Sequence, residues 1–288
     1  MHNLPETPFK HQCVRDLAWV IASPPLVSGE IEGVHWWCYE DGLREYQDCL
    51  PRLYQLDKNP QALVKHLDNL KTKRLGLRFE ALLAFWLEIS PNYEVILQNK
   101  QLITTEKTLG EIDFIIKDLR SAHLIHLEVA VKFYLGTDDL NDPYRWFGTT
   151  VTDQLGKKVA HLRQHQTQLS SKYPEHFPYV VDECQCILKG RLFYPEGKNT
   201  MPEGIANNHL TGRWLRNQST SSNTQIKVIP IDKKDWLATL SQEQLHEHTI
   251  LSHYPSIDMP QCYLHLDKHK EKLERVFILP ESFKFPNE

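Results

Sequence analysis

Alternating apolar and polar residues mark a strand in the middle of the chain. Between positions 123 and 135, apolar side chains occupy every second position from Ile125 to Phe133. Successive side chains of a strand point to opposite faces, so these residues form one continuous apolar face. The other face carries Glu128, Ala130 and Lys132 in line. The pattern therefore predicts a core strand whose second face holds an acid, a small residue and a base.

The spacing of apolar residues predicts the other elements. An i, i+3, i+4 pattern indicates helices and a period of two indicates strands. The predicted helices cover about 9–21, 60–70, 75–90, 146–169 and 233–246. The predicted strands cover 93–102, 111–118, 123–135, 184–195, 226–232 and 275–280. A tryptophan-rich loop is expected after Pro24-Pro25. The order helix, three strands, helix, strand predicts an α/β core.

Composition narrows the class of protein. The chain has 288 residues, 41% hydrophobic and 24% charged, which is typical of globular proteins and excludes disordered and fibrous classes. Its formal net charge of −4 excludes a strongly basic nucleic-acid coat protein, although a local basic groove stays compatible with it. The six cysteines lack paired CxxC spacing, which favours reduced thiols. With no signal peptide or membrane-spanning run recognised, we expect a cytoplasmic protein without a membrane partner.

Three carboxylates lie in apolar surroundings. Glu80 falls within the apolar stripe of the helix over 75–90, and Asp113 and Glu128 lie on strand faces opposite an apolar layer. A buried carboxylate costs several kcal/mol unless it is paired or binds a metal. Two structural explanations stay open at this point: a buried salt bridge at Glu80, and solvated acids on an exposed sheet face at Asp113 and Glu128.

The acids fall within four short motifs: RFE (78–80), GEID (110–113), LEVAVK (127–132) and DQLGKK (153–158). Over roughly positions 75 to 190, this series resembles the PD-(D/E)xK nuclease superfamily. More closely, the chain is similar to an uncharacterised bacterial domain family placed in that superfamily.

The resemblance implies a fold and a division of the chain. The fold is restriction-endonuclease-like, α/β, with a mixed central sheet flanked by helices. Residues 75–195 form the nuclease core. Residues 1–74 form a helical N-terminal extension packed on the core, and residues 196–288 form a C-terminal α+β extension of the same domain.

The resemblance also implies a site. Asp113, Glu128 and Glu80 bind Mg²⁺ or Mn²⁺, a hard cation that prefers oxygen ligands. Lys132 orients or helps to deprotonate the attacking water. Gln154, on the following helix, completes the catalytic set.

One spacing departs from the superfamily pattern. The lysine usually follows the glutamate by two positions, but Ala130 occupies that place here and Lys132 follows by four. The lysine is thereby displaced by roughly 6.6 Å along the strand. Lys158 on the following helix is an alternative source of the base. Lys158, His161 and Arg163 are candidate phosphate contacts, and a solvated helix face is the alternative interpretation of that pattern.

Together these features lead to the hypothesis of a Mg²⁺-dependent phosphodiester hydrolase acting on DNA or RNA. The alternative hypothesis is a catalytically inactive nuclease-fold protein that serves as a binding or scaffold protein. A small-molecule hydrolase is a third interpretation, but the sequence has no GxSxG or HExxH motif. The sequence indicates neither the type of nucleic acid nor the oligomeric state.

Overall fold

The computed structural model describes residues 8–72, 74–105, 107–217, 226–266 and 273–286. The chain divides into two compact units that alternate along the sequence. The first unit comprises residues up to Val131 together with Lys158–Lys189, and the second comprises Lys132–Lys157 together with the chain from Gly190 onward. The three-part division at residues 74 and 195 stays a prediction.

Helices and strands alternate through the described chain, which makes the protein α/β. The helices are α1 (Gln12–Ala22), α2 (Tyr39–Lys58), α3 (Gln61–Asp68), α4 (Leu75–Ile89), α5 (Leu155–Gln164), α6 (Leu169–Lys172) and α7 (Gln242–Glu247). In the part of the chain that the structure describes, no helix combines the length and apolar character needed to cross a membrane.

The strands follow the predicted positions in the middle of the chain. They are β1 (Gly29–Ile31), β2 (Val34–Trp36), β3 (Tyr93–Ile103), β4 (Thr108–Asp118), β5 (Leu124–Gly136), β6 (Trp146–Phe147), β7 (Glu183–Pro195), β8 (Leu210–Arg216), β9 (Val228–Ile231), β10 (Gln261–Leu266) and β11 (Leu273–Leu279).

The sheet of the first unit is mixed. Strands β3, β4 and β5 pair in antiparallel order, with Phe114 opposite Leu127 where β4 meets β5. Strand β2 pairs with β1 in antiparallel and with β7 in parallel orientation. The residues of β5 from Ile125 to Val131 are buried on both faces. The face that carries Glu128 is therefore covered, and Ile115 and Ala130 are buried as well.

Helices α1, α2, α3 and α4 contact one another in the first unit. The fully buried Asp16 of α1 is compensated by an ion pair with Arg78 of α4, with 2.8 Å between Nη2 and Oδ2. Helix α2 was not predicted: where the sequence suggested only a tryptophan-rich loop, the structure has two short strands and this helix. The helix was missed because it contains Gly42 and Pro51 and has a largely polar surface.

The prediction of a single long helix over 146–169 was wrong at both ends. Trp146 and Phe147 form strand β6, paired with the end of β5. Helix α5 begins only at Leu155 and ends at Gln164, and a short 3-10 turn separates it from α6. The apolar spacing continues across these breaks because α6 covers the same core: Leu169 packs with Ile112 and Ile115 of β4.

The strands of the second unit also pair in both parallel and antiparallel orientation. The end of β7 pairs in parallel with β8, β8 in parallel with β11, and β10 in antiparallel with both β11 and β9. The sequence missed β8 and β10. The helix expected over 233–246 is instead a 3-10 turn at Lys233–Asp235 and the separate helix α7.

Gly190 is required where β7 enters the second unit. Its φ is +148°, and a Cβ atom at this position would lie 1.7 Å from the carbonyl oxygen of Lys132. Backbone atoms cannot move aside as a flexible side chain does, so any side chain here would push the two strands apart.

We therefore expect Gly190→Ala to lower the free energy of unfolding by about 3 kcal/mol or more, measured by urea denaturation. Gly197→Ala is the matched control, because Gly197 also has a positive φ (+73°) but has no atom within 4 Å of the added Cβ. That control should lose only about 1 kcal/mol. Equal losses in the two variants would show that backbone conformation alone, and not the close approach to Lys132, makes glycine necessary.

Candidate functional site

Three acidic side chains of the first unit form a cluster. Glu80 comes from α4, Asp113 from β4 and Glu128 from β5. The antiparallel register of β4 and β5 brings Asp113 beside Glu128: the Val129 N–H donates to Asp113 Oδ2 at 2.9 Å, and the Asp113 N–H donates to Glu128 Oε1 at 3.4 Å. Glu128 is fully buried, whereas Glu80 and Asp113 are half-buried and keep contact with solvent.

The electrostatics of the cluster favour protonation in the absence of a cation. Burial, reinforced by the charge of Glu128, raises the pKa of Asp113 to about 7. Burial raises the pKa of Glu128 to about 8. Burial and the charges of Asp113 and Glu111 raise the pKa of Glu80 to about 7. The cluster thus has more negative charge than its surroundings neutralise.

The two carboxylate oxygens of Glu128 have different environments. Oε1 is bonded to the His126 ring, 2.9 Å from Nε2, in addition to the Asp113 N–H. Oε2 is buried and accepts a hydrogen bond from none of the residues that the structure describes. A buried acceptor left in this way costs about 1–3 kcal/mol, and more when it is charged. Oε2 is therefore suited to bind a cation or a donor that is not part of the chain.

His126 links Glu128 to α6. Its Nδ1 lies 2.9 Å from Ser170 Oγ, so the three side chains form a buried chain of hydrogen bonds. The order serine, histidine, acid also occurs in serine hydrolases, where the serine must reach a substrate carbonyl. Here Ser170 is only 6% exposed and His126 and Glu128 are 0% exposed, so this serine does not meet substrate.

Lys158 is the cation of the cluster. It lies on α5, its Nζ donates to Gln166 Oε1 at 3.0 Å, and its positive charge lowers the pKa values of Glu80, Asp113 and Glu128. From the sequence, Lys158 was predicted as a substitute for the displaced strand lysine and as a candidate phosphate contact. The structure places it in the same unit as the acids and within range of all three charges.

Lys132 and Gln154 belong to the second unit, and each has a hydrogen-bond partner there. Lys132 Nζ lies 2.6 Å from Asp153 Oδ2, and the same carboxylate accepts the Tyr134 hydroxyl through Oδ1 at 3.0 Å. Gln154 Nε2 donates to the carbonyl oxygen of Tyr144. Both side chains are thus engaged with neighbours in their own unit.

The other predicted phosphate contacts lie on α5. His161 and His165 are exposed and stack with ring centroids 4.9 Å apart. Burial and the positive charges of His165 and Lys158 lower the pKa of His161. Arg163 forms an ion pair with Glu32, 2.5 Å between Nη2 and Oε1. Of these residues, only Lys158 joins the acidic cluster.

The carboxylates of the cluster are the candidate donors for a metal ion. Within the described ranges, no group of three or more His, Cys, Asp or Glu side chains is arranged to hold an ion by itself. Mg²⁺ does not need such a group, since one or two carboxylates, waters and substrate phosphates complete its octahedral shell. Oε2 of Glu128 and the adjacent carboxyl of Asp113 fit this requirement.

A separate polar pocket of about 650 Å³ lies in the first unit, but none of the clustered residues lines it. Its charged side chains are already paired. Arg120 binds Glu45 and Asp118, and His35 lies between Glu30 and Asp41. This pocket therefore lacks the uncompensated charge that distinguishes the cluster.

Sequence reasoning missed the roles of His126 and Ser170. The period of two placed His126 on the same strand face as Glu128, which was the available signal. Ser170 had none, because its contact depends on the break between α5 and α6.

A family model described as a domain of unknown function, DUF1853, matches residues 15–279, and the chain belongs to this family. No curated protein and no solved structure shows a significant match. None of these comparisons links the chain to the PD-(D/E)xK superfamily, so membership of that superfamily stays a prediction from the motifs.

The raised pKa of Glu128 predicts how stability depends on pH. Its pKa is higher in the folded than in the unfolded chain, so between about pH 4.5 and 8 the folded state binds more protons and stability falls as pH rises. Glu128→Gln removes this ionisation. In EDTA, we expect the variant to gain on the order of 2 kcal/mol more relative to wild type at pH 8 than at pH 5.

Urea denaturation at the two pH values measures this difference. Glu88→Gln, an exposed glutamate on α4, is the control and should show no pH-dependent gain. A Glu128→Gln variant whose difference from wild type is the same at both pH values would contradict the raised pKa.

Proposed function

We propose that this member of the DUF1853 family is a divalent-cation-dependent phosphodiester hydrolase that cleaves DNA or RNA, built on a restriction-endonuclease-like core. The observation that carries the proposal is the buried Oε2 of Glu128, which accepts no hydrogen bond from the described chain and belongs to a carboxylate whose charge acts on Asp113. The motif order of the PD-(D/E)xK superfamily supports the choice of reaction.

Glu128, through Oε2, and Asp113 would hold Mg²⁺ or Mn²⁺, and Glu80 would act through a bound water. When bound, the ion supplies charge neutralisation at the phosphate and lowers the pKa of a bound water. The raised pKa values of the three acids support this assignment, because a divalent charge is what would keep all three ionised together near neutral pH.

The surroundings favour a hard cation over zinc. Both ring nitrogens of His126 have hydrogen-bond partners. Cys184 Sγ donates to the Thr167 carbonyl oxygen, and burial and the charge of Glu128 raise the pKa of both Cys184 and Cys186. A raised pKa disfavours the thiolate form that zinc binds. The ligands that remain are oxygens, which suit Mg²⁺ and Mn²⁺.

We assign the role of the superfamily lysine to Lys158. Its charge acts on all three acids, so it is placed to orient the attacking water and to stabilise the charge that builds up on the phosphate. Lys132 is instead paired with Asp153. The lysine displaced from the strand pattern is thus replaced by one on the following helix.

Cleavage of labelled single-stranded, double-stranded and branched DNA and of structured RNA tests the proposal. We expect cutting of at least one substrate with Mg²⁺ or Mn²⁺ and none with EDTA. Folded Asp113→Asn and Glu128→Gln variants should lose activity, because each loses a carboxylate ligand. Lys158→Met should lower the rate by about 100-fold or more.

Two lysine variants serve as controls. Lys157→Met, an exposed neighbour on α5, should cleave like wild type, and Lys132→Met should lose less activity than Lys158→Met. Cutting that persists in EDTA or in Glu128→Gln would contradict the proposal. Cation binding without cutting of any substrate would favour the alternative of an inactive binding or scaffold protein.

A further inference from the structure

The His126 ring makes a directional link between Ser170 and Glu128. Both contacts measure 2.9 Å, one at each ring nitrogen. The ring is fully buried. In the neutral imidazole, one nitrogen carries a proton and the other accepts.

Only one arrangement of protons satisfies both contacts when Glu128 is ionised. A carboxylate can only accept, so Nε2 must carry the ring proton and donate it to Oε1. Nδ1 is then the acceptor, and the Ser170 hydroxyl, which can act in either direction, donates to it. The hydrogen bonds run from Ser170 through His126 to one oxygen of Glu128.

We infer that His126 and Ser170 are positioning residues that hold Oε1 of Glu128 and thereby leave Oε2 as the oxygen that binds the cation. The inference rests on the cation site of the proposed function. It assigns a cause to the difference between the two oxygens: the His126 ring and the Asp113 N–H occupy Oε1, so Glu128 binds through one oxygen and not through both.

The positioning role also explains why the polar residues His126 and Ser170 are buried next to the cluster. A free carboxylate can rotate and present either oxygen, which weakens a site that depends on one geometry. Partners of metal-binding side chains commonly change metal affinity 10–100-fold when they are removed. Ser170 acts one step further away, by donating to Nδ1 and so holding the His126 ring in place.

Isothermal titration of the full chain with Mn²⁺ tests the inference. His126→Leu removes the donor to Oε1 and should weaken Mn²⁺ binding by about 10–100-fold. His126→Gln keeps an N–H donor of similar reach and should restore most of the affinity, which a loss of packing alone would not predict. Ser170→Ala should show a smaller loss than His126→Leu.

The outcomes separate the two proposals. Wild type that binds no Mn²⁺ or Mg²⁺ would overturn the cation site itself. Wild type that binds Mn²⁺ while His126→Leu binds it equally well would overturn the positioning role and leave the cation site standing.

A second measurement needs no metal. Long-range ¹H–¹⁵N spectra at pH 9 in EDTA, where Glu128 is ionised, report which ring nitrogen of His126 carries its proton; the His126→Gln variant assigns the signal. We expect the Nε2–H form in wild type and in Ser170→Ala, because the Glu128 carboxylate can only accept. An Nδ1–H form in wild type would overturn the inference.

Discussion

The central constraint on the first unit is the burial of the Glu128 carboxylate. A charged group without compensation is among the most costly features a protein interior can contain, and the usual response is a partner or loss of the charge. The chain compensates one oxygen of Glu128 through His126 and the Asp113 N–H and leaves the other without a hydrogen bond from the described residues. The register of β4 and β5 and the contact of α6 with His126 determine that Oε1 is the compensated oxygen, while the charge of Lys158 lowers the pKa of the carboxyl.

Other buried acids of the first unit, in contrast to Glu128, have cationic partners. Asp16 is fully buried but has Arg78, and the buried Glu45 has Arg120, Tyr93 and Asn92. These acids stabilise contacts between elements of the first unit. The contrast indicates that a buried acid with a purely structural role receives ion-pair and hydrogen-bond partners in this chain. Sites that perform chemistry commonly retain such local destabilisation, because the same groups must stay available to a ligand.

The sequence predicted the elements of the cluster because its signals are local. Alternation fixed the faces of β4 and β5, and with them the positions of Asp113 and Glu128. Helical spacing placed Glu80 within the stripe of α4. Contacts that depend on breaks in regular structure were not predictable in this way. The continuous apolar spacing over 146–169 concealed the turn that separates α5 from α6, and that turn places Ser170 against His126. Helix α2 was not predicted because Gly42 and Pro51 are poor helix formers. In the folded chain, tertiary packing overrides their low helix propensity.

The most direct test of the cation site is a crystal structure of the protein grown with Mn²⁺, with anomalous data collected at the manganese absorption edge. We expect an anomalous peak at coordinating distance from Oε2 of Glu128 and from the Asp113 carboxyl, with Oε1 of Glu128 still bonded to His126. A map without a peak at this cluster, or with manganese bound through Oε1, would contradict this expectation.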